Sequence, residues 1–250
     1  MKKIIITALF AVIYQAYALF GFGAHIGYDD TNISSQKISV LSINDNEYSY
    51  TMTRTEFDKN PLELGAQLYF DLPVLPVGFE FGFEGAWAKY KWTGSADIGD
   101  ASFVLPHGYE AEDGMYSEEF DFSKIGVDAT AKWYMLSFPP VVKTFKFYAG
   151  GGGGVYFITP IISDKMIIKE LEKQYSSVIP AGSEIEFDVD DYIKKVTVFG
   201  YHIVGGIQMK LPAVPISFNV DYKYVMTPEN DYGDPTNNFG VIKGSINFYM

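Results

Sequence analysis

The 250-residue sequence contains no cysteine. That excludes a disulfide framework, a thiolate metal site and a cysteine nucleophile. Histidine is scarce, with only His25, His107 and His202 present. Positive charge is also in short supply: 19 basic residues face 31 acidic ones, for a net charge of −12. Nucleic acid is therefore not an expected partner, because phosphate binding needs a basic face. After residue 18 no apolar run approaches the roughly eighteen residues that a membrane-crossing helix requires.

What is abundant points elsewhere. The hydrophobic share of 48% excludes intrinsic disorder. Twenty phenylalanines, 19 tyrosines and three tryptophans exceed what an ordinary core consumes. The length allows one large domain or two small ones.

The first residues read as a targeting segment. Lys2 and Lys3 precede an apolar stretch from Ile4 to Tyr14, and Ala16-Tyr17-Ala18 is a small-x-small cleavage pattern. Residues 1–18 are thus expected to be a signal peptide, and 19–250 a single β-barrel domain.

From there on the chain alternates with period two, the signature of strands. Eight such segments are expected: Leu19–Tyr28, Leu62–Leu72, Phe79–Trp92, Phe122–Leu136, Lys143–Ile158, Val196–Leu211, Ile216–Met226 and Phe239–Met250. In the second, Leu62, Leu64, Ala66, Leu68 and Phe70 oppose Glu63, Gly65, Gln67, Tyr69 and Asp71. Each segment reaches the roughly nine to eleven residues with which a tilted strand crosses a bilayer. Gly150 to Gly154 lie inside the fifth strand. No Lys-Ser or Lys-Thr follows them, so they read as room for Tyr148 and Tyr156 rather than a phosphate loop.

Short and long connections alternate. Three short ones carry paired prolines: Pro73 and Pro76, Pro139 and Pro140, Pro212 and Pro215. Four long ones span about 29–61, 93–121, 159–195 and 227–238. An up-and-down barrel with both termini on one side needs three turns there and four loops opposite, with the long loops outside the cell. A short helix is expected in the third loop, capped by Ser163 or Asp164 and running to about Tyr175.

The whole mature length resembles the small eight-stranded outer-membrane barrels of the OmpA, OmpX and OmpW kind. The likeness rests on this architecture, on Phe147-Tyr148-Ala149-Gly150-Gly151, and on the aromatic end Phe248-Tyr249 before Met250. It implies an all-β, eight-stranded antiparallel transmembrane barrel in the bacterial outer membrane. No periplasmic domain is expected after the last strand, and so no peptidoglycan-anchoring role.

Parity then assigns a set of charges to the lumen. The acids are Glu63, Asp71, Glu80, Glu84, Asp128 and Asp221; the bases are Lys124, Lys132, Lys146, Lys210, Lys223 and Lys243. A selective pore is expected to show one dominant sign. Balanced charge implies a closed ion-pair network instead. Glu84, Lys132 and Lys146 are expected to cluster, with His25 and His202 as further inward polar groups. The excess acid lies in the loops, as Asp97, Asp100, Glu110, Glu112, Asp113, Glu118, Glu119 and Asp121, then Glu184, Glu186, Asp188, Asp190 and Asp191. No ordered calcium-loop spacing occurs there, and neither a metal nor a cofactor is expected. Lys89, Lys91, Lys194 and Lys195 near the outer rim suit lipopolysaccharide phosphates or simple snorkelling.

No histidine sits in a spacing that suggests a catalytic triad, so an enzyme is not expected. The favoured task is structural or surface-interacting, through acidic extracellular loops that meet an unknown partner. The alternatives are a narrow channel or transporter for small, apolar solutes, and a secreted soluble barrel with its apolar face inside.

Overall fold

The computed structural model describes residues 20–43, 46–72, 75–97, 109–110, 116–139, 144–159, 161, 163, 173, 197–211, 214–228 and 238–250. They form β1 (Phe20–Asp29), β2 (Gln36–Ile43), β3 (Asn46–Arg54), β4 (Leu62–Asp71), β5 (Val77–Asp97) and β6 (Tyr109–Glu110), then β7 (Tyr116–Phe138), β8 (Phe145–Ile158), β9 (Thr197–Lys210), β10 (Ile216–Met226) and β11 (Asn238–Tyr249).

Eight of these strands close an antiparallel barrel in the order β1, β4, β5, β7, β8, β9, β10, β11. The last pairs with the first, from Gly21↔Tyr249 to Asp29↔Val241. All eight coincide with the alternating segments of the sequence. The proline-bearing ends close tightly: Leu72 N–H donates to the Val77 carbonyl at 2.9 Å, and Leu211 N–H to that of Ile216 at 3.0 Å.

Side-chain parity decides what the wall presents on each face. Outward positions are apolar and exposed on every strand, for example Ile26, Leu64, Phe81, Val127, Phe147, Ile203, Val220 and Ile242. Inward positions carry buried Glu63, Glu80, Glu84, Lys124, Asp128, Lys132, Asp221, Lys223 and Lys243. In water the first set would be one continuous aggregating surface. In hydrocarbon it matches its solvent, and closure pairs the backbone groups that would otherwise cost several kcal/mol each. Aromatic rows mark the interfaces. Phe20, Phe70 and Phe79 lie side by side toward the turns, and Trp87 lies beside Leu62 and Tyr28 toward the loops. The apolar band, the buried charges and the closed wall together define an outer-membrane barrel.

Two features depart from the expected layout. β5 and β7 are longer than the expected Phe79–Trp92 and Phe122–Leu136, with 21 and 23 residues, and they stay paired out to Gly94↔Tyr116. The expected loop at 29–61 contains the hairpin β2–β3, and β3 pairs with the outer half of β5 from Ser49↔Asp97 to Arg54↔Trp92. That stretch is rich in Ile, Val, Thr and Tyr, which favour strands. It lacks the long uncharged face of a spanning strand, because it stands above the lipid. The segment 1–18, the helix expected after Ser163, His107, Lys194, Lys195 and most of the loop acids lie outside the described residues.

The sidedness generates a direct test. Val220 is exposed midway along β10, opposite Ile207 and Gly244. Val220→Arg is expected to cost about 2–4 kcal/mol at mid-depth, read as reversible unfolding from lipid. The same change at the rim residue Met226 should cost roughly 1 kcal/mol or less.

Candidate functional site

Among the described residues, polar and charged side chains gather in the lumen. Alternation aims the polar residues inward, and the register stacks them in tiers from the turns to the loops. At the turn end Asp71 lies 3.9 Å from Lys146 and 3.5 Å from Lys210, and the Tyr134 hydroxyl donates to it at 2.8 Å. The two lysines are half-buried and rest on aromatic faces, Lys146 over Tyr134 at 4.3 Å and Lys210 over Tyr249 at 4.0 Å.

The next tier holds Glu80, which accepts from Lys132 and lies 3.6 Å from Lys243. Lys243 is also 3.9 Å from Asp221, which accepts from the Tyr148 hydroxyl at 2.8 Å. Above it Lys223 joins Glu84 to Asp128, the latter at 3.0 Å. Beside that pair His202 Nε2 and the Thr130 hydroxyl share a hydrogen bond of 2.7 Å. A Cβ on Gly152 would collide with the Ala129 carbonyl oxygen and also stand 2.9 Å from His202 Nε2. Higher still, Lys124 pairs with Asp29, donates to the Thr31 hydroxyl at 3.2 Å and sits 3.0 Å above the Phe239 ring. His25 and Glu63 face one another at 3.5 Å in the same region.

Of the twelve charges and two histidines assigned to the lumen, twelve residues are buried and Lys146 and Lys210 half-buried, and one grouping differs. Glu84 does not meet Lys132. On β5 and β7, Lys132 is opposite Gly78 and Glu84 is opposite Gly126. Six residues of strand, roughly 20 Å, separate the two levels. Lys132 serves Glu80, Glu84 takes Lys223 from the far wall, and Lys146 serves Asp71. Two buried charges were missed. Asp29 is the next inward position after Tyr28, one step beyond the expected end of β1. Arg54 lies in the hairpin, donates to the Ser34 carbonyl at 3.0 Å and stacks 6.0 Å from the Trp92 ring.

A second missed feature lies toward the loop end. Ile33, Tyr90, Trp92, Phe122, Tyr156, Ile161, Val225, Phe239 and Val241 are all 3% exposed or less. Phe57 packs at 4.9 Å on Phe122 and 6.3 Å on Tyr90, and Tyr156 meets Phe239 edge-on at 5.5 Å. These residues form an apolar cluster on the loop side of the charged tiers. At the opposite end a recess lined by Tyr69, Glu80, Lys132 and Tyr148 has room for about one water.

The tiers predict unequal penalties. Glu80 has two lysines, whereas Glu84 and Asp128 share Lys223. Lys223→Met should therefore cost about 3–5 kcal/mol, as a buried pair broken on one side does. Lys132→Met should cost clearly less, since Lys243 remains. Denaturant midpoints in detergent micelles give both values.

No family model and no curated protein matches this sequence. Among solved structures it is similar to Neisserial surface protein A, with 12% identity and a TM-score of 0.39 over 92% of this chain and 97% of that one. It is also similar to Ail, the attachment invasion locus protein of Yersinia pestis, crystallised with a heparin analogue, with 13% identity and a TM-score of 0.35 over 92% and 99%. The outer membrane enzyme PagL follows at 8% identity and a TM-score of 0.35, again over 92% and 99%. These likenesses concern the arrangement of strands and decide no activity. The closed wall itself, apolar outside and charged within, places the chain in the bacterial outer membrane.

Proposed function

We propose that this chain is a closed outer-membrane barrel that acts as a structural or surface-interaction protein through its acidic extracellular loops. The observation that carries the reading is the cluster of buried rings on the loop side of the ion-paired tiers. An ion crossing it would have to shed much of its hydration against the faces of Phe122, Trp92, Tyr156 and Phe239. Interactions with the outside then fall to the loops and to the sheet that β2, β3, β5, β6 and β7 raise above the lipid. Between Thr93 and Asp121 the sequence has eight acids and no lysine or arginine. At the rim, Lys89 and Lys91 are half-exposed beside Glu119 and Asp121. We propose these lysines as the contact with lipopolysaccharide phosphates.

A catalytic role is not part of this reading. His202 Nε2 is taken by Thr130, and its Nδ1 has no hydrogen-bond partner among the described residues, so no acid orients the ring. His25 is held by Gln67. Both rings are buried, away from any substrate at the surface.

Planar-bilayer recording separates this reading from a narrow channel. The folded barrel is expected to give no steady conductance steps. Regular steps that persist over minutes would refute a closed lumen. Phe122→Ala combined with Tyr156→Ala is expected to introduce conductance that the wild type lacks.

A further inference from the structure

We propose that His25, Glu63 and Glu84 form a buried site for one divalent cation of the zinc type. An imidazole nitrogen and two carboxylate oxygens of these residues lie within 4.8 Å of one another. Three neighbouring strands bring them together. His25 on β1 is opposite Gly65 on β4, and Gly65 is opposite Glu84 on β5. Glu63 points inward two residues along β4. The donors thus surround a position with no side chain. A Cβ on Gly65 would press on the imidazole Cε1 and Nε2, and would stand 2.5 Å from the Phe83 carbonyl oxygen.

The donors also lack other employment. Glu63 is 0% exposed, yet neither of its oxygens accepts a hydrogen bond from any described residue. His25 Nε2 and Glu84 Oε1 are likewise without a hydrogen-bond partner among them. Asp29, Asp71, Glu80, Glu84, Asp128 and Asp221 each have a lysine within 4.0 Å. Among the described residues, Glu63 has only the His25 ring within that distance. A fully buried carboxylate left in that state is expensive unless a cation or a proton joins it.

The hydrogen bonds orient the ring for ligation. Gln67 Nε2 donates to Asn247 Oδ1 at 2.6 Å, which leaves Gln67 Oε1 as the acceptor facing His25 Nδ1 at 3.1 Å. The proton therefore sits on Nδ1, and the Nε2 lone pair points at the two carboxylates. This is the outer-shell arrangement that fixes a metal-binding imidazole. Lys223 occupies Glu84 Oε2 and leaves Oε1 turned inward.

Charge supplies an independent argument. The loop-side tiers contain Asp29, Glu63, Glu84 and Asp128 against Lys124 and Lys223. With His25 neutral, these six groups carry two more negative than positive charges, or one more with Arg54 in the hairpin above them, an excess of acid that a divalent cation would offset. One nitrogen and two oxygens suit Zn²⁺ or a neighbouring first-row cation, with water completing the shell. Calcium prefers six to eight oxygens and fits poorly. The site is independent of what the loops bind.

The test refolds the full chain in detergent, with chelator or with one equivalent of Zn²⁺ or Co²⁺, followed by desalting. We expect one zinc per barrel by native mass spectrometry, and for the cobalt form an X-ray absorption spectrum with imidazole scattering. Glu63→Gln and His25→Leu should abolish retention while heat-modifiable gel mobility reports that the barrel has formed. Gln67→Leu should weaken binding about 10–100-fold. If a variant fails to fold, the wild-type spectrum still decides. Absence of retained metal in the folded wild type would overturn the proposal. So would metal with oxygen ligands only, as the acidic loops would give, or metal kept unchanged by folded Glu63→Gln. None of these outcomes bears on conductance, so a closed lumen and a metal site fail separately.

Discussion

The pairing of β11 with β1 is the constraint from which the other features follow. Hydrocarbon offers no partner to a free N–H or C=O, so the sheet must close on itself. Closure at eight strands fixes a narrow interior. Antiparallel register then decides which side chains share a level inside it. Slipping any pair by one residue would turn Glu63, Glu80 or Lys243 onto the lipid face and a row of phenylalanines inward. The charges are therefore consequences of the wall and, at the same time, guards of its register.

That dual role explains why the interior is ionic when apolar filling would pack as well. Buried ion pairs seldom add net stability, since desolvation offsets attraction. Their force lies in the cost of mispairing. Lys223 reaches from β10 to Glu84 on β5 and Asp128 on β7, and Lys243 reaches from β11 to Glu80 on β5. Each such bridge is satisfied at one register of walls that are not neighbours in the sheet. An apolar core would accept many registers almost equally.

The same distinction separates what the sequence made legible from what it concealed. Strand positions, sidedness and the inward set followed from parity, which is a local property. Glu80 and Glu84 must point one way because Phe79, Phe81 and Phe83 point the other. Partners did not follow, because they depend on how the barrel closes. Lys132 meets Glu80 and not Glu84 because of a register that no single strand encodes. Asp29 was legible in principle, one residue past Tyr28 and on the inward parity of His25 and Gly27. Arg54 and Phe57 were not, since they end the hairpin and follow it above the lipid, where no lipid face announces them. In the sequence Trp92 and Phe122 stand only as strand ends. Their inward burial depends on Phe57 and Ile33 folding back over the mouth.

Glycine completes the argument, through volume. Inward glycines stand beside large inward neighbours: Gly21 against Tyr69, Gly23 against Asn247, Gly65 against His25, Gly126 against Tyr156, and Gly206 against Tyr148 and Asp221. An eight-stranded barrel is just wide enough for its own side chains. Each ring that crosses it therefore requires a bare position on the wall it meets, and small alternates with large around the interior. This filling does not hang on one rotamer, because each tier draws on several strands at once. It is distributed along the axis, as ion pairs toward the turns and packed rings toward the loops.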